Sequence, residues 1–455
     1  MITSSVSVAE HLKRVRELVQ PTKPQRLSVE EAHGCYLAQT VQARVAIPSF
    51  HNSAMDGFLV HDKDLSGSGP WTLPVSGEVA AGGLPQEVVP NQALRIMTGA
   101  PISGDAKSLR VIPSEFTDAS LGPAQLPTQV TIHEAPKKRH IRLRGEVVTP
   151  GEDIAHPNTL IDAGTLAFFL TAGVSHVSVY RRPQVAVISS GDELVSTANV
   201  GAAATNNVSN AAGVATGVGT ADENADYRIA DSNGPMVANL LAEHGPVDVR
   251  RFHVGDGTDN LTALLDEVTS SSAQPVDLIV TTGGISQGAF DVVKAAAIDS
   301  PNADFWFGNA AQRPGSPQGA GLWNGTAVVT LPGNPVAAYV SATVYVLACL
   351  YILQGRVTST PAEARSTTKW WPHCAALVHA HPTLPLPRPG KTQLVPVQVV
   401  PADTGLLAVP NTGGNPGSHF VSALIGIDGL AVIPPAEDVE HPDSPEMATV
   451  LGWSR

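Results

Sequence analysis

The chain has 455 residues, of which 43% are hydrophobic, 41 are glycine and 37 are proline. This length exceeds what one hydrophobic core usually organises, and the composition excludes general disorder. A formal charge of −13 excludes a whole-chain role in binding the phosphate backbone of nucleic acid, although a local basic cluster could still hold a small anion. We therefore expect several folded domains and no nucleic-acid partner.

The three cysteines, Cys35, Cys349 and Cys374, are far apart in the sequence and form no CxxC pair. No disulfide framework or zinc site follows from them, so a reducing cytoplasm is the expected compartment. The N-terminal residues include several charged side chains and lack the apolar core of a signal peptide.

Two Ser-x-x-Glu capping boxes near the N-terminus predict helix starts. The box at Ser7–Glu10 opens a pattern with apolar residues on one helical face across Val8–Val19. The box at Ser28–Glu31 repeats the signal, and Gly34 would end that short helix. From Tyr36 onward, apolar and polar residues alternate, which predicts a strand followed by a loop.

Residues 48–139 contain short β-like runs broken by glycine and proline, such as WTLPVSGEV and LRVIPSEF. These runs predict a small all-β domain. The later segment AGTLAFFLTAGV predicts a helix that ends at Gly173, and HVSVY is the strand expected after it.

The pattern of apolar and polar residues changes after Pro183. The runs QVAVISS, VDLIVTT and AVVTL are continuously apolar, as in parallel strands that are covered on both faces. Helical stretches lie between them, including GPMVANLLAEHG, for which Ser232 or Asn233 is the expected cap, and NLTALLDEV. Strands that alternate with helices in this way predict a parallel βαβ sheet.

The run Val336–Leu353 is apolar and close to the length that spans a bilayer. It follows a Pro-Gly-Asn-Pro turn and lacks basic residues on its N-terminal side. These features favour a buried helix of an α/β domain over a membrane span, so no membrane partner is expected.

Residues 199–225 are dominated by Ala, Gly, Asn and Thr and show no periodicity, which predicts a mobile surface loop; an ordered Ω-loop is the alternative. After residue 355 the runs TQLVPVQVV, LLAVPN and GLAVIPP predict a closing β domain.

Polar clusters follow four predicted strands of the βαβ region, where ligands of open parallel sheets bind. They are Ser190-Gly191-Asp192-Glu193, Val254-Gly255-Asp256-Gly257, Thr282-Gly283-Gly284-Ile285-Ser286-Gln287-Gly288 with Asp291 and Lys294 beyond, and Pro332-Gly333-Asn334-Pro335. The carboxylates Glu193, Asp256 and Asp291 would share one sheet edge. Three carboxylates suit a hard divalent cation such as Mg²⁺, which takes oxygen ligands and keeps some waters.

The glycine-rich loop at 283–288 would let backbone N–H groups approach a phosphate, and Lys294 could add a positive charge. Each signal has an ordinary structural alternative. A Gly-Gly pair after a strand is usually a turn, and an Asp in a βα loop is more often a helix N-cap than a metal ligand. The lone Asp56, in the segment FHNSAMDG, could likewise belong to a tight turn with an Asx bond.

Six motifs, in the same order along the chain, resemble those of the MoeA family, which includes the E domain of gephyrin. The motifs are PSFHNSAMDGFLV, RIMTGAPI, SSGDELV, DSNGPMVANLL, TTGGISQGAFDVVK and LPGNPVAAYVSATV. They run from the first third of the chain to the long apolar helix, and the likeness extends over the whole chain.

The resemblance implies a multidomain α/β plus β fold. Its parts are an N-terminal helical and linker domain (1–47 and 140–180), an inserted β domain (48–139), a MogA-like, doubly wound α/β molybdopterin-binding domain (181–354) and a C-terminal β-barrel-like domain (355–455). It implies a homodimer in which the β domain of one subunit faces the α/β domain of the other. The partners it implies are a MogA-like molybdopterin adenylyltransferase and the enzymes that accept the cofactor.

The resemblance also implies a molybdopterin molybdenumtransferase. The substrates would be molybdate and adenylated molybdopterin, AMP would be released, and Mg²⁺ would be required. The implied catalytic residues are Asp56, Thr98, Glu193, Asp256 and Asp291. The candidate binding residues are Ser190, Gly191, Asp192, Thr282, Gly283, Gly284, Ser286, Gly288, Lys294, Pro332, Gly333, Asn334 and Arg142.

Three positions depart from the family pattern. The first Asp of the signature is His51, the final Asp of RGED is Val147, and the Lys of PGKP is Ser316. The loss of an acid and a base affects turnover more than ligand binding. The alternative function is therefore a divergent, non-catalytic paralogue that binds the cofactor or its assembly partners. An oxidoreductase is not favoured, because no GxGxxG follows a strand.

Overall fold

The computed structural model describes residues 3–119, 125–195, 228–270, 275–285, 292–356, 375–403, 405–411, 419–439 and 447–452. The loop predicted at 199–225 lies outside these residues. The chain divides into two compact units, which we describe separately. The first contains residues 1–25, 34–36 and 180–455, and the second contains residues 26–33 and 37–179.

The strands, in chain order, are β1 (Thr3–Val6), β2 (Pro24–Ser28), β3 (Val41–Gln42), β4 (Asn52–Ser53), β5 (Gly57–His61), β6 (Trp71–Val79), β7 (Ala93–Ile96), β8 (Leu109–Pro113), β9 (Gln129–Ile132), β10 (Ile141–Arg142), β11 (Asp153–Ala155), β12 (His176–Tyr180), β13 (Gln184–Ser190), β14 (Leu194–Val195), β15 (Ile229–Ala230), β16 (Asp248–Val254), β17 (Leu278–Thr282), β18 (Ala303–Ala310), β19 (Gln312–Arg313), β20 (Pro317–Trp323), β21 (Thr326–Leu331), β22 (Ala375–Ala380), β23 (Thr392–Ala402), β24 (Gly405–Pro410), β25 (Gly429–Ile433) and β26 (Met447–Leu451).

The helices are α1 (Val8–Glu17), α2 (Ala163–Thr171), α3 (Asn233–Glu243), α4 (Thr258–Ser270), α5 (Val292–Asp299), α6 (Pro335–Ser341) and α7 (Leu347–Leu353). A π-helical segment, Ala342–Val346, joins α6 to α7. Short 3-10 helices occur at Asp62–Leu65, Ser114–Phe116, Val421–Leu424 and Ala436–Asp438.

A seven-stranded sheet, in the order β1-β18-β20-β21-β17-β13-β16, organises the first unit. Strand β13 pairs in parallel with β16 on one side and β17 on the other, and β17 pairs in parallel with β21. Among the described strands of this sheet, β20 runs opposite to its neighbours. The predicted parallel strands are confirmed, and the order of the chain reverses between β13 and β17, as in doubly wound folds.

Helices cover both faces of this sheet. On one face α3 and the α6–α7 helix pack with α1, where Val237, Val340 and Leu12 join the apolar residues of β13 and β21 in one cluster. On the other face α4 and α5 contribute Leu265 and Val293 to a second cluster. Burial on both faces explains why the central strands are continuously apolar in sequence.

The segment Pro335–Leu353 is long and apolar enough to cross a membrane by length and composition. In the structure 83% of that window is buried inside the protein. This agrees with the predicted buried helix.

The C-terminal strands form a closed β-barrel. Strands β23, β24, β22, β26 and β25 follow one another, and β25 pairs back with β23. Closure leaves no free edge within the barrel. Its interior is apolar, with Val397, Ala431 and Val450 at its centre. The predicted β-barrel-like domain is therefore present.

The second unit contains a five-stranded sheet in the order β8-β5-β7-β6-β9. The predicted runs WTLPVSGEV and LRVIPSEF correspond to β6 and to β8 with the 3-10 turn after it. Two-stranded ribbons pair β10 with β4 and β11 with β3. The predicted helix and strand before residue 181 are α2 and β12.

The helix predicted after Ser28 is wrong. The capping-box contacts do form, since the Ser28 N–H donates to Glu31 Oε2 at 3.1 Å and the Glu31 N–H donates to Ser28 Oγ at 3.3 Å. The segment nevertheless remains a turn that ends at Gly34, whose φ is +79°. The five residues between β2 and the left-handed Gly34 are too few to repay helix nucleation.

The strand predicted from Tyr36 is also largely wrong. An isolated bridge joins Leu37 to Val179, and only the two residues of β3 are in a ladder.

Strand β1 and helix α1 belong to the unit of the seven-stranded sheet, with β1 paired to β18, and residues 140–179 belong to the other unit. The four domain bounds remain a prediction.

Helix α1 buries a histidine. His11 is fully buried between the rings of Trp306 and Tyr345, with ring centroids at 4.9 and 4.5 Å. Burial, aided by the positive charge of Arg14, lowers the pKa of His11 to about 3. The folded protein therefore holds a neutral imidazole.

We predict that His11 makes stability fall in mild acid. Between pH 6.5 and about 3 the unfolded chain binds a proton at His11 that the folded chain does not, so stability is lost as the pH falls. The loss from pH 7 to pH 5 should be about 2 kcal/mol. In urea titrations at both pH values, His11→Leu should reduce this loss, and His33→Gln, at an exposed position, should not. Equal pH dependence of His11→Leu and the unmodified chain would contradict the prediction.

Candidate functional site

The carboxyl ends of β13 and β17 meet where the sheet order reverses. Strand β13 ends in Ser190 and β17 in Thr282, and both side chains are buried. The Gly191 N–H donates to the Val254 carbonyl at 3.1 Å, and the Gly283 N–H donates to the Leu331 carbonyl at 3.1 Å. The loops that leave these strands are thus tied to the ends of the neighbouring strands β16 and β21.

A cavity of about 800 Å³ opens at this edge, and we call it the sheet-edge cavity. Its described lining residues are Ser190, Gly191, Glu193, Leu194, Ile229, Ala230, Asp231, Ser232, Asn233, Asp256, Thr282, Gly283, Gly284, Ile285, Gly315, Pro317, Pro332, Gly333, Asn334, Pro335 and Ala337. The volume is within the usual range of small-molecule sites.

The cavity brings together most of the candidate binding residues. Those that line it are Ser190, Gly191, Thr282, Gly283, Gly284, Pro332, Gly333 and Asn334, and the catalytic candidates Glu193 and Asp256 line it as well. Lys294 lies in α5 and is not among the lining residues. Ser286, Gly288 and Asp291 lie outside the described residues.

Acidic side chains face this cavity from two strand ends. Glu193 follows β13 and Asp256 follows β16, and both are lining residues. Asp192 is not, but its Oδ1 accepts a hydrogen bond from the Asp256 N–H at 3.2 Å. Asp192 therefore holds the loop that carries Asp256.

The described part of the chain brings no three His, Cys, Asp or Glu side chains together as a metal-binding group. Of the predicted metal ligands, Glu193 and Asp256 are described and line the same cavity. The third, Asp291, is outside the described residues, so the predicted metal site stays a prediction.

The start of α3 supplies lining residues that sequence reasoning missed as site residues. Ser232, one of the two predicted caps, is the N-cap residue of α3, but its side chain makes no capping bond. Asp231 Oδ1 accepts from the Gly234 N–H at 3.0 Å instead. Asn233 Nδ2 donates to the Gly333 carbonyl at 2.6 Å. The motif DSNGPMVANLL carries the signal, because polar residues at a helix start can cap the helix and also face the ligand edge of a parallel sheet.

The turn between β19 and β20 forms another part of the wall through Gly315 and Pro317. Ser316, at the position of the family's lysine, does not line the cavity. Its Oγ donates to the Ala310 carbonyl at 3.0 Å, within its own strand pair. Among the described lining residues, Glu193, Asp231 and Asp256 are acidic and none is basic.

The candidate residues of the second unit form a separate cluster. The Thr98 N–H donates to Asp56 Oδ1 at 2.6 Å, and both residues are exposed. The Asp56 carbonyl accepts from the Ser114 N–H at 3.1 Å. Gly57 must be glycine, because a Cβ there would overlap the Ile112 carbonyl of the paired strand β8. The Asx bond of Asp56 thus joins it to a residue 42 positions away rather than to its own turn.

The family departure at position 51 has a structural explanation. The Arg144 N–H donates to His51 Nδ1 at 3.0 Å. The imidazole nitrogen accepts the kind of hydrogen bond that a carboxylate would accept, which requires the neutral ring to carry its proton on Nε2. Arg142, in β10, pairs with Asn52 of the same signature. Val147 is 62% exposed, so the acid missing there leaves no buried gap.

Comparison with known proteins identifies the family to which the chain belongs. Residues 6–173 match the model of the MoeA N-terminal region (domain I and II), and residues 186–351 match that of a "probable molybdopterin binding domain". Molybdopterin molybdenumtransferase 2 of Mycobacterium tuberculosis is 33% identical over 441 residues, covering 95% of this chain and 96% of its own. The chain belongs to the MoeA family.

Other relatives support the same membership. The molybdopterin molybdenumtransferase of Staphylococcus epidermidis is 31% identical and covers 80% of this chain and 79% of its own. A crystal structure of a MoeA protein from Pyrococcus horikoshii matches with a TM-score of 0.70 at 21% identity, covering 99% of this chain and 100% of that one. That structural likeness supports the MoeA fold of this family member.

We predict that the cavity depends on the left-handed backbone at Gly283, whose φ is +89°. A Cβ there would lie 3.1 Å from the Ser190 carbonyl oxygen. Gly283→Ala should lower the free energy of unfolding by about 1–2 kcal/mol. Gly333→Ala, in the same cavity, is the matched control, because its Cβ would lie 3.6 Å from the nearest atom, Gly283 Cα. Urea denaturation of both variants checks this, and equal stability would contradict it.

Proposed function

We propose that this MoeA-family protein inserts molybdate into adenylated molybdopterin and releases AMP, as a step of molybdenum cofactor biosynthesis. The observation that carries the proposal is the sheet-edge cavity, whose described lining includes Glu193, Asp256 and the Gly283–Gly284 turn. Family membership over 95% of the chain supports the substrate class. The reaction hydrolyses the phosphoanhydride bond of the adenylated pterin. The two thiols of the pterin dithiolene form bonds to molybdenum while their protons leave with one oxygen of molybdate as water, so the oxidation state of molybdenum does not change.

The charge of the cavity supports a requirement for a divalent cation. Adenylated molybdopterin is an anion, and the described lining residues carry three carboxylates and no basic side chain. Two unit charges 4 Å apart repel by about 1 kcal/mol in bulk water and by about 4 kcal/mol near a protein surface. A divalent cation held by these carboxylates would reduce that repulsion.

Magnesium fits the donor set. Glu193 and Asp256 offer oxygen ligands at one wall, and Mg²⁺ in proteins commonly combines one or two carboxylates with water and substrate phosphate oxygens. When bound, the ion would neutralise developing charge on the phosphoryl oxygens. Asp291 is the third proposed ligand.

The other residues have proposed binding and positioning roles. The backbone N–H of Gly284, in the turn above Ser190 and Thr282, would donate to a phosphate oxygen, since the Gly283 N–H is already bonded to the Leu331 carbonyl. Asp192 positions the Asp256 loop through its hydrogen bond to the Asp256 N–H. Asp56 and Thr98 are proposed catalytic residues on the basis of the family motif, and their mutual hydrogen bond fixes the Asp56 carboxylate.

A second candidate function is binding without insertion. It is favoured by the absence of the family's lysine and acid at Ser316 and Val147. Measured turnover separates the two functions, because both include ligand binding and only one releases AMP.

The decisive experiment measures AMP release from adenylated molybdopterin with molybdate, with and without Mg²⁺. The substrate can be made in place by a MogA-like molybdopterin adenylyltransferase, which we propose as a partner. We expect molybdate-dependent AMP release that stops when the metal is chelated. Binding without AMP release under these conditions would establish the second candidate instead.

The same assay tests the proposed ligands. Glu193→Gln and Asp256→Asn keep the side-chain shape but remove a charge, so each should lower turnover at least tenfold, since even the residues behind metal ligands commonly contribute about 10–100-fold. Glu267→Gln, on the exposed surface of α4, is the matched control and should keep the activity of the unmodified chain. Full turnover by Glu193→Gln would remove Glu193 from the metal site.

We also propose a cytoplasmic homodimer that passes its product to cofactor-accepting enzymes, on the basis of the family resemblance. Light scattering should give twice the 47.3 kDa mass of one chain. A monomeric mass at micromolar concentration would contradict the dimer.

A further inference from the structure

Four buried polar side chains lie directly behind the turn that lines the sheet-edge cavity. They are Gln312, Gln318, Ser341 and Tyr345, and each is 1% exposed or less. We call them the Ser341 network. Buried polar groups are costly unless they are hydrogen-bonded, so their partners indicate what they hold in place.

Ser341 is the centre of this network. Its Oγ accepts from Gln318 Nε2 at 2.7 Å and from Gln312 Nε2 at 3.2 Å. Each amide group also reaches the turn, because Gln318 Nε2 donates to the Gly315 carbonyl at 2.7 Å and Gln312 Nε2 donates to the Pro314 carbonyl at 3.0 Å. Two glutamines therefore join one serine of α6 to two successive carbonyls of the turn.

Tyr345 fixes the orientation of Gln312. Its hydroxyl donates to Gln312 Oε1, so Nε2 must face Pro314 and Ser341. Tyr345 lies in the π-helical segment that begins directly after Ser341. π-helical segments inside α-helices are frequent at functional sites.

The turn also packs closely on α6. Gly315 has a φ of +82°, and a Cβ there would lie 3.0 Å from Ser341 Oγ and 3.3 Å from Ala337 Cβ. Gly315 and Ala337 both line the cavity. The network therefore connects two parts of the cavity wall, the turn and the first turns of α6.

We propose that Gln312, Gln318 and Ser341 are positioning residues that set the separation between these two walls, and thereby the affinity for the pterin ligand. The proposal rests on the proposed function for the identity of the ligand. An apolar core would stabilise this region without any polar atom, and Gln318 Oε1 has no hydrogen-bond partner within the described structure. What the polar side chains add is two fixed contacts to the carbonyls of the wall.

The test compares Ser341→Ala and Gln318→Met with Val340→Ala. The first two remove the network and keep the side-chain volume close to its original value. Val340 is fully buried in α6 and takes no part in the network, so Val340→Ala lowers stability by creating a cavity instead. Hydrogen–deuterium exchange of peptides covering residues 312–318 is measured on the protein without ligand. Calorimetry with adenylated molybdopterin then gives Kd, and AMP release gives kcat and KM.

We expect faster exchange at residues 312–318 in Ser341→Ala and Gln318→Met, and a Kd and KM raised about tenfold with kcat nearly unchanged, as for lost uniform binding. The double variant should add little to either single variant, because both act on one network. Val340→Ala should lower the melting temperature but leave the exchange and the Kd unchanged.

Equal effects of Val340→Ala and Ser341→Ala on exchange and Kd would overturn the proposal, because the network would then be ordinary core. An unchanged Kd in Ser341→Ala would overturn it as well. Failure of the proposed function gives a different pattern, in which the unmodified chain releases no AMP while exchange still separates the network variants from Val340→Ala.

Discussion

Strands β13 and β17 lie side by side in the sheet, but the chain leaves them toward opposite faces. After β13 it reaches α3 on one face, and after β17 it reaches α5 on the other. Two loops that diverge from adjacent strand ends cannot fill the space between them, so a crevice opens there. The sheet-edge cavity is this crevice, and each wall described above is attached to a strand end or helix start beside it.

The walls are held by hydrogen bonds between main chain and side chain rather than by apolar packing alone. Asn233 holds Gly333, Asp192 holds Asp256, and the Ser341 network holds the turn around Gly315. A binding site has to keep its shape while remaining open to solvent. Polar contacts to fixed carbonyl and amide groups achieve this, whereas a purely apolar wall would tend to collapse.

The sequence predicted the elements whose local pattern and tertiary environment agree. Strands β13, β17 and β21 are apolar throughout because both faces are covered. The N-cap of α1 is Ser7, whose side chain accepts a hydrogen bond from the Glu10 N–H. The prediction from sequence failed where a correct helix-start signal was followed by too few residues to form a helix. The Ser28 box forms its hydrogen bonds, yet Gly34 ends the segment before a helix can grow.

The site was predictable to the extent that it follows from strand ends. Glu193, Asp256 and the Gly283 turn come directly after strands, so a parallel sheet places them together. Asp231 and Gln318 could not be assigned in this way. Asp231 bonds to the first turn of α3 from one position before the N-cap, and its position on the cavity depends on where α3 packs. Gln318 is a polar residue in the otherwise glycine-rich and apolar strand β20. Its role depends on a hydrogen bond to Ser341, 23 positions away.

The departures from the family pattern at His51 and Ser316 affect hydrogen bonding and charge differently. His51 accepts a hydrogen bond from the main chain at Arg144, and Ser316 donates its hydroxyl to the Ala310 carbonyl. Both side chains therefore have hydrogen-bond partners in this fold. Replacing a lysine with Ser316 does remove a positive charge from a turn next to a wall that is acidic in its described part. An anionic ligand of the sheet-edge cavity therefore meets less positive charge from the protein itself.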